Sequence, residues 1–131
     1  MNTVDAQTIH SGEYPLNVRV RGHTFSCDAS VAAGGQDVAP GPHDLFDSAL
    51  TACKAITAMW YAKRRGIPLE RIETHVESDD SQERAGVYRM RVRVQLFGPL
   101  TAEHHAELQR AIAACPIHKL MTTSNVEIEV G

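Results

Sequence analysis

A chain of 131 residues suits one compact domain with its own core. With 43% apolar and 22% charged residues, the composition is that of a globular protein rather than a disordered one. A net charge of -3 argues against a general nucleic-acid or anionic-membrane binder, and no apolar run reaches the roughly 20 residues of a membrane span.

Residues 1–14 show no clear period and read as an N-terminal arm or a strand. The polar stretch Met1–Pro15 lacks the apolar core of a signal peptide, so a cytoplasmic location is expected. Leu16, Val18 and Val20 alternate with Asn17, Arg19 and Arg21, which predicts a half-buried strand. Gly22 can turn the chain into a returning strand over His23 to Cys27. The Gly- and Pro-rich run Ala32 to Pro42 is a loop by composition. It lacks the Gly-Lys-Ser/Thr ending of a phosphate-binding loop, so no nucleotide is assigned to it.

Pro42 suits the first position of a helix, and Asp44 and Asp47 suit its positive end. The helix is expected to run to about Arg65 and stop at Gly66. Leu45, Phe46, Leu50, Ile56, Met59 and Trp60 leave few polar positions around it, the pattern of a buried central helix. Ile72 to Glu77 and Val87 to Phe97 read as an antiparallel hairpin, with Val92, Val94 and Leu96 on the covered face. Thr101 is a natural N-cap for a helix from Ala102 to about Ala114. Pro116 interrupts it, a short helix covers Ile117 to Met121, and Val126, Ile128 and Val130 form a last strand. Strands and helices in clusters rather than strict alternation indicate an α+β fold, with no repeat and no second domain.

Three cysteines are an odd number and too few for a disulfide scaffold. Cys53 falls in the long helix and Cys115 at the end of the next one. Two readings of Cys53 stay open. It is either a small buried hydrophobe with an inert thiol, or a reactive thiolate that requires a nearby cation. Lys54 points about 100° around the helix and is a poor candidate for that cation; the arginines of the first strand suit it better. Cys115-Pro116-Ile117-His118 has the form of a zinc half-site without its other half, so no metal is expected. His118 reads as a helix-end residue, and Cys27 has no neighbouring signal.

Gly41-Pro42-His43-Asp44-Leu45-Phe46, followed by Ala49-Leu50-Thr51-Ala52-Cys53, resembles the first-cysteine helix of the OsmC/Ohr family. Cys115-Pro116-Ile117-His118-Lys119 resembles its second motif. The likeness runs roughly from Leu16 to Val130. It implies an OsmC-like α+β domain over residues 1–131, with antiparallel sheets packed on a long central helix. It also implies an intertwined homodimer with active sites at the subunit interface.

The activity implied by the resemblance is a stress-response one, the reduction of organic hydroperoxides and, in some members, of hydrogen peroxide. Cys53 would be the attacking thiolate and Cys115 the resolving thiol. A dithiol reductant is implied, a lipoyl protein by family expectation, and no cofactor. The family's thiolate-holding arginine would match Arg19 or Arg21. Its arginine-orienting glutamate lies ten residues before the first cysteine, where this chain has His43; the nearest carboxylate is Asp44. That departure leaves a second reading open, a small-molecule-binding or stress protein on the same scaffold that does not turn over peroxide.

Overall fold

The computed structural model describes residues 1–131, which form two compact units, Met1–Phe46 and Asp47–Gly131. The N-terminal unit is a three-stranded antiparallel sheet, β1 (Val4–Thr8), β2 (Leu16–Val20) and β3 (His23–Cys27), in sequential order. Val4 pairs with Val20 and Thr8 with Leu16; Leu16 in turn pairs with Cys27. The expected alternation holds on β2, where Val18 is buried and Arg19 exposed. Arg21 makes the turn between β2 and β3 in the left-handed region, at φ 54. The N-terminal stretch thus contributes a strand that pairs along its whole length with β2.

The loop after β3 is organised by Asp28, which is buried. Its carboxylate accepts the backbone N–H groups of Ala29 (2.7 Å), Val38 (3.1 Å) and Gln36 (3.2 Å). Burial by itself would push this carboxyl up, but the ring of N–H donors outweighs it and holds the group below its ordinary value. Gly35 is required here by close approach, because a Cβ at this position would collide with the Ala29 carbonyl.

Helix α1 spans Pro42–Arg65, the range expected from Pro42 and Gly66. Asp44 accepts the Gly41 N–H at 2.8 Å, which satisfies one donor of the helix start. At the far end Gly66 takes φ 66 and the Ile67 N–H reaches back to the Ala62 carbonyl at 2.9 Å, a Schellman closure.

In the C-terminal unit, β4 (Arg71–Asp79) and β5 (Arg89–Phe97) form a two-stranded antiparallel ribbon with Val76 opposite Val92. Two helices follow, α2 (Ala102–Ala113) and α3 (Pro116–Thr122). Thr101 caps α2 as expected, accepting the His104 N–H, while His104 returns the contact to the Thr101 N–H. Leu108 and Ile112 of α2 pack with Ala58 and Ala62 of α1 and with Ile67 and Leu69, and Ile72, Val94 and Leu96 of the ribbon close the cluster. Thr51 and Thr74 tie α1 to β4 through a 2.8 Å hydroxyl bond. Tyr61 and Arg65 of α1 both hold Glu107 of α2. The Tyr61 hydroxyl, and then Arg65, keep that carboxyl below its ordinary value against the opposing effect of burial.

Two expectations change. Helix α1 is not covered all round: its buried residues are Leu50, Lys54, Ala58 and Ala62, one stripe at four-residue spacing, while Ile56 and Trp60 are 69% and 56% exposed. One ribbon and one helix cover only one side of a cylinder. Residues 125–131 are not a strand, although Val126, Ile128 and Val130 keep a strand's alternation and are exposed. A strand needs a ladder partner, and none lies beside this segment.

Candidate active site

Cys53 of α1 meets the turn between α2 and α3, the turn that begins at Cys115. Cys53 is half-buried on α1, and its Sγ accepts the Ile117 N–H at 3.5 Å. Its other near neighbour is the Thr57 hydroxyl, one helical turn on, at 3.8 Å. Cys115 is wholly buried and stands as the N-cap of α3, with Pro116 at the first helical position. The proline ends α2 because it cannot continue the backbone ladder, and it starts α3 because its fixed φ suits a first turn. All three cysteines are free thiols.

The junction is pinned by Lys54, which lies on the covered stripe of α1 and is 4% exposed. Its Nζ donates to the Ile112 carbonyl at 2.9 Å and stands 3.0 Å from His118 Nδ1. The Cys115 N–H lies on that same Ile112 oxygen, at 3.3 Å. An ammonium has donors and no acceptor, which assigns Nδ1 as the acceptor and places the imidazole proton on Nε2. His118 thus opens α3 and faces α1, instead of serving the C-terminal end of a helix. It also lines a cavity of about 660 Å3 with Leu50, Met121, Tyr88, Arg89 and Arg91.

The remaining candidates belong to other elements or to the start of α1. Arg19 and Arg21 are exposed residues of the N-terminal unit. Arg19 stands opposite Asp5 and Thr24 in the sheet, and Arg21 is at the turn. Asp44 serves the start of α1. Cys27, in the N-terminal unit, is buried at the end of β3 with its Sγ toward the Asp28 carbonyl. Among His, Cys, Asp and Glu side chains, no group of three comes together.

Sequence reasoning passed over Lys54. The available signal was its position: at four-residue spacing it falls between Leu50 and Ala58, in line with Ala62, on the stripe that carries no other charge. What the junction offers chemically is a half-accessible thiol with a backbone donor on it, and an ammonium that shares the Ile112 carbonyl with the backbone of the buried Cys115.

The fold recurs in known structures. An OsmC-like protein from Mycoplasma pneumoniae superposes with a TM-score of 0.74 at 16% identity, covering 94% of this chain and 88% of its own. The organic hydroperoxide resistance protein OsmC of Legionella pneumophila gives 0.66 at 19%, with 94% and 90% covered. The organic hydroperoxide resistance protein OhrB of Bacillus subtilis gives 0.60 at 22%, with 94% and 91% covered. No curated protein matches the sequence. The model of the OsmC family, described as OsmC-like protein, matches residues 34–131, a span that holds both cysteine motifs and every contact of the junction. This chain belongs to the OsmC-like protein family.

Proposed function

We propose that the protein is a cysteine-based peroxidase that reduces organic hydroperoxides through Cys53 and Cys115, acting as a cytoplasmic homodimer with a dithiol reductant. The observation that carries this reading is the Ile117 N–H on Cys53 Sγ, which joins the accessible thiol of α1 to the turn that begins at Cys115. A thiolate at Cys53 attacks the terminal peroxide oxygen, the O–O bond breaks, and the alcohol leaves with a proton as Cys53 becomes a sulfenic acid. Cys115 condenses with it, forming a disulfide and releasing water. The dithiol then takes up the oxidation as its own disulfide and returns both thiols. Organic hydroperoxide resistance in the names of two structural neighbours fits this chemistry.

Arg19 or Arg21 is proposed as the cation for Cys53. Asp44, engaged with the Gly41 N–H, is the acid nearest the family's position. The homodimer is supported by apolar surface that the single chain leaves open, at Ile56 and Trp60 on α1 and at Ile128 and Val130. Mass analysis after one equivalent of tert-butyl hydroperoxide tests the reading. A Cys53–Cys115 disulfide is the expected product. Unchanged thiols would favour the binding protein that does not turn over peroxide.

A further inference from the structure

Lys54 has no carboxylate partner, although it is almost fully buried. A buried charge is costly unless it is paired, and here only neutral acceptors face the ammonium. Its ammonium and the backbone of Cys115 share one oxygen, that of Ile112, through contacts of 2.9 and 3.3 Å. On its other side it meets His118, which reaches the cavity wall. The two cysteines differ in access, since Cys115 is wholly buried while Cys53 is half-exposed.

We propose that Lys54 is a positioning residue for the reductive half of the thiol cycle: it holds the charge of Cys115 as that sulfur leaves, so that the reductant is directed to the sulfur of Cys53. This rests on the Cys53–Cys115 couple proposed above. A reductant thiolate attacks Cys53 Sγ, a new S–S bond forms to it, and the Cys53–Cys115 bond breaks. The bonding pair departs on Cys115 Sγ as a thiolate beside Lys54. The second thiol of the dithiol then displaces Cys53 as a thiolate, closing the reductant's own disulfide. Cys115 regains its proton from the Lys54 ammonium, which is then recharged from solvent. A leaving thiol with a stabilised anion departs faster, and the choice of attacked sulfur follows both access and leaving ability.

The test starts from protein oxidised with diamide, so that it does not depend on any reaction with peroxide. Reaction with the monothiol 2-mercaptoethanol should leave the trapped adduct on Cys53, and reduction by dithiothreitol should slow about tenfold or more in Lys54→Met while Lys54→Arg stays within a few-fold of wild type. In wild type, nitrogen NMR of His118 should show the proton on Nε2 and an acceptor Nδ1.

An adduct on Cys115 overturns the proposal. So does diamide failing to join Cys53 to Cys115, or a folded Lys54→Met that is reduced at the wild-type rate. If Lys54→Met does not fold, adduct position and the His118 tautomer in wild type decide, and a proton on Nδ1 overturns the arrangement. Should diamide form the disulfide where tert-butyl hydroperoxide does not, the peroxidase reading fails and the Lys54 assignment stands on its own results.

Discussion

Replacing Cys115 separates its place in the core from its place in the chemistry. The side chain is wholly buried at the N-cap of α3 and makes no side-chain capping hydrogen bond there. Serine there would bury a hydroxyl where the sulfur makes no capping bond, at a cost of about 1–3 kcal/mol. At about 4 °C per kcal/mol for a chain of this size, thermal unfolding should move down by about 4–12 °C. Alanine removes the sulfur without adding a polar atom and should cost on the order of 1 kcal/mol. Both variants should nevertheless behave alike toward peroxide. Cys53 attacks once, the sulfenic acid finds no resolving thiol, and it stays or proceeds to sulfinic acid. Reaction with tert-butyl hydroperoxide before any thiol reductant is added, followed by intact-mass analysis, should show one peroxide consumed and its oxygen kept on Cys53 in both variants, where wild type loses that oxygen as water and forms the disulfide. Wild-type protein that keeps the oxygen on Cys53 while Cys115 stays a free thiol would refute the resolving role.

Leu108→Ala empties the centre of the C-terminal core, where Leu108 is wholly buried against Ala58, Ala62 and Ile112, and should cost about 2–5 kcal/mol in denaturant unfolding. Asp28 has its carboxyl held below the ordinary value, so its contribution to stability is present above that value and is lost as pH falls through the lower folded-state value. Asp28→Asn should therefore lower stability at neutral pH and flatten the acid limb of a pH-stability curve below about pH 4, read by thermal unfolding. Replacing Arg19 or Arg21 by Ala should slow the reaction of Cys53 with peroxide roughly tenfold; unchanged rates in both variants would leave the thiolate's cation to be sought elsewhere. Cys27→Ser should not alter turnover, because Cys27 is buried at the end of β3 and belongs to neither cysteine motif.

The features legible in the sequence are those fixed by neighbours along the chain. Pro42 and Gly66 bound α1, Thr101 starts α2, Pro116 separates α2 from α3, and the alternation of Val92, Val94 and Leu96 gives β5 its covered face. Both cysteine motifs are local patterns of this kind. What was not legible depends on residues far apart. Lys54 is buried because Ile112 and His118, 58 and 64 positions later, arrive as acceptors for its ammonium. The tail around Val126 to Val130 carries a strand's pattern, but pairing is a property of two segments, and its partner is not among the neighbours the chain supplies.

Trp60 is the chain's only tryptophan, and it lies seven residues beyond Cys53 on α1, two turns and about 10 Å along the helix axis. Its indole is 56% exposed, with the Arg64 guanidinium 5.0 Å from the ring centre. The molecule therefore carries one tryptophan reporter on the open face of the helix that holds Cys53. Steady-state fluorescence can follow that face without any label: a red-shifted, quencher-accessible emission when it is wet, a blue-shifted and protected one when another surface lies against it. Because there is a single tryptophan, a change recorded under tryptophan-selective excitation during oxidation or dilution needs no deconvolution, and wild-type protein serves for the measurement.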